Sequence, residues 1–401
     1  MSEWIKTTLN EIADVIGGGT PSTKNEAFWG GEIPWITPKD LTGYTKMYIS
    51  HGERFITKNG LDNSSARLLP EGTVLMSSRA PIGYVAIAAN PITTNQGFKS
   101  LVPNTELANN KFLYFWIKNN KQYIDSLGSG TTFAEVSGSV VKSLEIELPS
   151  LPEQKAIASV LSALDNKIDL LHRQNKTLES MAETLFRQWF VEEAQDDWEE
   201  VILSDVCHRI TDGAHASPKS IEDGWAMASV KDMETWGINY DTCRRISKED
   251  YDELVRADCK ALKGDILIAK DGSYLKHVFL LEKDIDVVLL SSIAMLRPNG
   301  KYDPMLLTIF LKMNSTREEM ENIVTGAVIP RIVLKDFRKF PIRLPPREYQ
   351  TKALIQISPI FRKCWLNNSQ IKKLEKLRDT LLPKLMSGEV RVNYTPEEIK
   401  Q

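Results

Sequence analysis

Cysteine is scarce, and its four copies, Cys207, Cys243, Cys259 and Cys364, form no C-x-x-C pair. That excludes a disulfide frame and a zinc knuckle, and it fits reduced thiols in a cytoplasmic protein. No apolar run approaches the ~18 residues needed to span a membrane, and the opening Met-Ser-Glu-Trp-Ile-Lys has no apolar signal stretch. An excess of one charge is also missing. The 50 Lys and Arg against 53 Asp and Glu leave a net charge of -3, which excludes a polycation but not local basic surfaces.

Catalytic signatures are missing as well. There is no G-x-x-x-x-G-K-[ST] phosphate loop, and Gly17-Gly18-Gly19 leads into Thr20-Pro21, a turn and not a helix start. The five histidines (His51, His172, His208, His215, His277) show no metal-ligand spacing, and adjacent Cys207 and His208 project in different directions. Asp165-Asn166-Lys167 imitates a nuclease fragment but lies on a helical pattern. No Asn-Pro-Pro-Tyr or Asp-Pro-Pro-Tyr sequence is present to hold an extruded base beside a methyl donor, and no Ser or Cys sits in a nucleophile context. The expectation is a chain with no catalytic, cofactor-binding or metal-binding residues.

What the chain does have is repetition. Trp4–Leu9 resembles Trp198–Leu203, Gly72–Met76 resembles Gly264–Ile268, and Gly130, Leu148-Pro149 and Gln154 recur as Gly326, Leu344-Pro345 and Gln350. The offsets, 194, 192 and 196, define a tandem duplication with loop-length drift. Each copy divides again. A turn-rich part with short β-type runs (1–150 and 197–345) gives way to a helical part (151–196 and 346–401). Phe112–Lys118 and Met305–Lys312 read as one short amphipathic helix per copy. Trp35, Trp116 and Trp225 read as core residues.

The helical parts carry a heptad seam. In the first, Ile157, Leu161, Leu164, Ile168, Leu171, Asn175, Leu178, Ala182, Leu185 and Trp189 follow 4-3 spacing. In the second, Ile357, Ile360, Cys364, Asn367, Ile371, Leu374, Leu381 and Leu385 do so, with Gly388 as the stop. The first segment has five basic and eight acidic residues, and the second has eleven and six, so the two suit each other as partners. Pro359 inside the second seam predicts irregular or kinked first turns. An antiparallel register in which facing residue numbers sum to 542 sets Asn175 against Asn367, the only Asn on each seam, and leaves Leu164 against Arg378 as the weak layer. The same cyclic order brings the tail Gly388-Glu389-Val390-Arg391-Val392, with the alternation of a short strand, beside Trp4.

This globule–helix–globule–helix order resembles the specificity subunit of type I restriction–modification systems across essentially the whole chain. The strongest local matches are Leu148-Pro149-Ser150-Leu151-Pro152-Glu153-Gln154-Lys155-Ala156-Ile157-Ala158, the entry into the family's helix, and Gly31–Leu41. Ile210–Pro218 and Gly264–Lys270 look like its variable-domain signatures in the second copy. The resemblance implies an α+β fold. Two target recognition domains, small twisted sheets with helices, are joined by two long helices in an antiparallel coiled coil with pseudo-two-fold symmetry. Its domains are then 1–150 (first recognition domain), 151–196 (central long helix), 197–345 (second recognition domain) and 346–401 (C-terminal long helix and tail).

The resemblance also implies partners: double-stranded DNA, two modification subunits that carry S-adenosylmethionine, and restriction/translocase subunits, with no membrane. Sequence must be read by side chains that reach base edges. The candidates are Thr20, Ser22, Thr23, Lys24 and Arg79 in the first domain, and His215, Ser217, Lys219, Lys270, Ser273, Tyr274 and Lys276 in the second. Each competes with a plainer reading as an ordinary surface residue, or, for an Arg, as the partner of a nearby carboxylate. Two other functions stay open on the residues alone: a self-contained methyltransferase or nuclease with degenerate motifs, and a coiled-coil adaptor without DNA specificity.

Overall fold

The computed structural model describes residues 3–79, 81–129, 134–272, 276–321, 324–325 and 331–393. It divides into two compact units, one made of Met1–Leu170 with Lys372–Gln401, the other of Leu171–Ile371. Each unit holds one turn-rich globule together with a length of both long helices. Compactness thus divides the chain within the helices and not at their ends. No helix among the described residues is long and apolar enough to cross a membrane.

The first unit is clasped by its own ends, since Ile5–Thr8 pairs antiparallel with Glu145–Leu148. Its main sheet has five strands in the order Ala13–Gly17, Lys99–Pro103, Val74–Met76, Val85–Ala88 and Tyr48–Ile49. A smaller sheet sets Trp29–Ile36 between Arg54–Ile56 and Thr93–Thr94. Val74, Leu75 and Met76 are all fully buried because the main sheet is covered on both faces. Side chains alternate across a strand, so Val74, Met76 and Leu101 join the short helix Asn110–Asn119 and the long helices in one core. Leu75, Ala86 and Ala88 point the other way, into a core with Ile36, Ile92 and Phe98.

The second unit repeats this plan. Glu199–Ile202 pairs with Pro341–Leu344, a four-stranded sheet runs Cys207–Asp212, Ile293–Pro298, Ile266–Ala269, Val278–Leu280, and a smaller sheet sets Trp225–Ala228 between Arg244–Ile246 and Val287–Leu289. Ile266 and Ile268 face the helical core, while Leu267 and Ala269 face the small sheet. The short helix is Pro304–Lys312, capped by Asp303, whose carboxylate accepts from Met305 N at 2.8 Å.

One buried glutamine in each unit ties the strand-to-helix turn to the globule. Gln154 Nε2 donates to the carbonyls of Leu107 and Pro149, and its Oε1 accepts from Asn109 N at 2.8 Å. Gln350 does the same with Lys301, Pro345 and Asp303 N. This explains why the Leu-Pro-x-x-x-x-Gln spacing recurs: one buried amide pairs three backbone groups of the turn and the globule at once.

The first long helix is Leu151–Arg187, followed by a π-turn at Gln188–Glu192. The second, Arg347–Met386, runs unbroken through Pro359, contrary to the expected irregularity. The missing proline N–H releases the carbonyl of Ile355, which lies on the exposed face, where water can satisfy it. Within each unit the helices are antiparallel. In the first, Ile157 and Leu161 share a core with Leu385 and Leu381, and Arg378 does not snorkel to solvent: it stays mostly buried, at 21% exposure, and donates to Asp165, itself at 17%, at 3.0 Å. In the second, Asn367 Nδ2 donates to Asn175 Oδ1 at 2.9 Å, and Asn175 Nδ2 donates to the Cys364 carbonyl at 3.3 Å. Both asparagines are buried, at the register in which residue numbers sum to 542. The seam drifts at the π-turn, where Phe186 and Phe190 take the buried places and Trp189 is only half-buried.

The tail closes on the first unit. Gly388 lies against the Trp4 ring, Arg391 stands 5.6 Å from its centroid, and Arg391 Nη2 donates to the buried Glu153 at 2.9 Å. Val390 and Val392 pack against the core as partly buried residues, but they form no strand. The second unit repeats the arrangement with other chemistry: Gln195 donates to Tyr349 Oη at 2.9 Å, and Tyr349 packs on Trp198.

Candidate nucleic-acid interface

In both units the edge strand of the main sheet runs out at a glycine and delivers a polar loop. Gly18 is required by close approach, since a Cβ there would lie 2.0 Å from the Asn95 carbonyl, and Gly213 likewise at 2.1 Å from that of Leu289. Val15 pairs with Leu101 as Ile210 pairs with Leu296, which fixes the equivalence of the two loops. Thr20, Ser22 and Lys24 therefore occupy the places of His215, Ser217 and Lys219. All but Thr20 are exposed, as is Thr23, and Thr20 donates its hydroxyl to Gln96.

Beneath each loop stands an arginine that the sequence reading did not single out. Arg54, opposite Trp35, covers the Trp29 ring at 3.6 Å, and Trp35 Nε1 donates to the Gly19 carbonyl at 2.9 Å. Its equivalent, Arg244, opposite Met227, donates to Ser217 Oγ at 2.9 Å. The signal was present in the repeat, as Arg54-Phe55-Ile56-Thr57-Lys58 against Arg244-Arg245-Ile246-Ser247-Lys248.

The loops border a second shared feature. In the first unit, Thr37, Pro38, Lys39, Arg79, Asn95 and Glu135 line a cleft of about 580 Å³. Thr37 caps a short helical turn through Asp40, as Ser229 does through Asp232 in the second unit. Pro38 lies against Gly97, and the equivalent Val230 N–H donates to Ser292 Oγ at 3.0 Å. An exposed lysine follows at both places, Lys39 and Lys231.

Charge is arranged differently at the equivalent places of the two units. Arg79 Nε donates to Glu135 at 2.8 Å, and Lys99 meets the other oxygen at 3.0 Å. Burial alone would raise the Glu135 carboxyl, but the hydrogen bonds from Lys99 and Arg79 outweigh it and hold its pKa below the ordinary value. Lys270 is placed unlike the other candidates: it is buried, with its ammonium 2.9 Å from Asp212 and 3.5 Å from Asp271. His215 pairs with the far oxygen of Asp212 at 3.3 Å, and Arg331 with Asp271 at 3.3 Å. Lys276 is exposed, whereas Ser273 and Tyr274 lie outside the described residues. Trp35 and Trp116 are buried, but Trp225 lies at the surface, stacked on Tyr251 with ring centroids 4.7 Å apart. Among the described residues no cluster of His, Cys, Asp and Glu could hold a metal.

Comparison with known proteins bears on this geometry. The family model described as the type I restriction modification DNA specificity domain matches residues 1–180 and again 195–376. The type I restriction enzyme MjaIX specificity subunit of Methanocaldococcus jannaschii is 34% identical over 413 residues, covering 97% of this chain and 94% of that one. The EcoR124I/EcoR124II specificity subunit of Escherichia coli is 31% identical over 170 residues, 41% of each chain. The crystal structure of a type I restriction–modification S subunit from M. genitalium superposes with a TM-score of 0.58 at 20% identity, covering 98% of this chain and 97% of that one, and shows the same fold. A duplicated fold, a duplicated family match and a full-length relative agree, and the chain belongs to the family of type I restriction–modification specificity subunits.

Proposed function

We propose that this chain is the DNA-reading subunit of a type I restriction–modification complex, with residues 1–150 and 197–345 as its two target recognition domains. Each domain reads one half of a split, asymmetric sequence in double-stranded DNA, and the coiled coil formed by 151–196 and 346–401 sets the spacer between the halves. Two modification subunits dock on this scaffold and supply S-adenosylmethionine and the methylation of adenine. Restriction/translocase subunits join them for cleavage. The chain itself performs no catalysis, and the complex works in the cytoplasm, where its DNA is.

The observation that carries this reading is the pairing of loops: the same backbone sites present Thr20, Ser22 and Lys24 in one unit and His215, Ser217 and Lys219 in the other. Ser22 and Ser217, and Lys24 and Lys219, are the same residue types, whereas Thr20 and His215 differ. One frame repeated in one chain with a changed side chain is what two readers of two different half-sites need, whereas a symmetric homodimer would require a palindrome. The test exchanges residues 1–150 for the first domain of another family member and maps methylated sites in the presence of the modification subunit. One half-site changes and the other stays. A chimera that altered both half-sites equally would contradict independent reading.

A further inference from the structure

The two units carry the same ion pair at one structural site with its charges exchanged. In the first unit the bridge residue just beyond the central strand Val74–Met76 is the cation: Arg79 forms an isolated bridge with Glu135, and its Nε donates to that carboxylate at 2.8 Å. In the second unit the same step of the chain is the anion. Val74 and Ile266 occupy equal places opposite Leu101 and Leu296, so Arg79 corresponds to Asp271, and Asp271 bridges Arg331, whose Nε stands 3.3 Å away. Each domain therefore sets one guanidinium at one structural site, supplied from opposite sides of the bridge. Both arginines are partly exposed, at 42% and 59% of the side chain.

We infer that Arg331 is the second domain's counterpart of Arg79, and that each guanidinium reads a guanine in its own half-site. This rests on the DNA-reading function proposed above. In the first unit the carboxylate accepts from Nε and restrains the plane of the group. In the second, Asp271 holds Arg331 by charge alone, at 3.3 Å from Nε. In both, the paired terminal nitrogens are the edge that forks onto guanine O6 and N7. In the first unit the cleft beside Arg79 also holds Lys39 and Asn95, a basic and a polar side chain at the place where a base edge would enter. Lys270, by contrast, is buried inside the second unit, where its ammonium holds two carboxylates, Asp212 beside His215 and Asp271 beside Arg331. It is a positioning residue for that guanidinium and touches no base.

The charge exchange supplies the test. The full chain is expressed with its modification subunits in a host whose methylated sites are mapped base by base, as wild type, Arg79→Gln, Arg79→Lys, Arg331→Gln, Arg331→Lys, and the exchange Arg79→Asp with Glu135→Arg. Arg79→Gln relaxes one guanine position of one half-site, reducing its preference roughly ten- to a hundredfold, and Arg331→Gln does so in the other half-site alone. The lysine variants keep the charge and lose the fork, so they relax the same positions, and they decide the matter if a glutamine variant fails to fold. The exchanged pair returns a guanidinium to the site from the other side and recovers preference lost in Arg79→Gln. A motif unchanged at every position would overturn the inference, as would weaker methylation of all sites with an unchanged motif, the mark of a phosphate contact. A wild-type chain without a two-part motif would instead defeat the DNA-reading function itself.

Discussion

Replacing the buried asparagine pair separates its two roles, register and stability. Asn175→Leu removes the Asn367-to-Asn175 hydrogen bond at 2.9 Å and the Asn175-to-Cys364 bond at 3.3 Å. It also leaves the Asn367 amide, already without a partner for its oxygen among the described residues, facing hydrocarbon with its donors unpaired. Two lost bonds at about 1 kcal/mol each, plus about 1–3 kcal/mol for the stranded amide, exceed what the added leucine surface returns, so the net loss is about 2–3 kcal/mol. Asn367→Leu strands Asn175 in the same way. The double replacement strands nothing, so it is near neutral or stabilising, and the coupling between the two positions is about 2 kcal/mol or more. For a body of this size the single variants melt about 4–12 °C lower. The assay is thermal and urea unfolding of the four proteins of the cycle, with methylation mapping of the double variant, whose helices have lost the device that fixes register. Single variants whose losses simply add in the double would refute the reasoning.

Three further outcomes follow from the same structure. Gln154→Ala and Gln350→Ala each remove three hydrogen bonds to backbone groups, one buried and two part-buried, and lower stability by about 2–3 kcal/mol, read by urea unfolding; a loss under ~0.5 kcal/mol would mean the turn needs no such tie. Glu135 has a depressed folded pKa, so its stabilising contribution is fully present above the ordinary glutamate range and is lost as the pH falls through the lowered folded value; the gap in melting temperature between wild type and Glu135→Gln narrows in that acid range, and a pH-independent gap would count against the ion pair. Because the tail packs on Trp4 through Arg391, joining the ends by a short linker and reopening the chain between Glu193 and Trp198 preserves folding and the methylated motif, and a permuted chain that failed to fold would show that the junction is not equivalent to the tail.

Much of this architecture was legible because it is periodic. The duplication, the two seams and the Asn175–Asn367 register are patterns of spacing, and spacing survives without knowledge of tertiary contacts. The polar loops at Thr20–Lys24 and His215–Lys219 were legible for a related reason, since glycines at Gly18 and Gly213 announce a turn. What stayed hidden depends on contacts between distant segments. Lys270 looks like any lysine after a strand, and only the fold sets Asp212, 58 residues away, beside its ammonium. Arg331 gains meaning only once the sheet register equates Asp271 with Arg79. Pro359 misled because proline's penalty is local, whereas whether the freed carbonyl faces water is decided by how the helix packs. The compact units cross the expected boundaries for a similar reason: 151–196 and 346–401 read as separate rods, yet lengths of both helices belong to each core.

The central claim is that one chain carries two different readers held at a fixed separation. Methylation-sensitive sequencing of a host genome, with this chain and its modification subunit as the only methylation system, tests it most directly. The account predicts a single asymmetric motif made of two unlike specific segments with a non-specific spacer of constant length. A continuous motif, a palindrome, or methylation without a motif would contradict it.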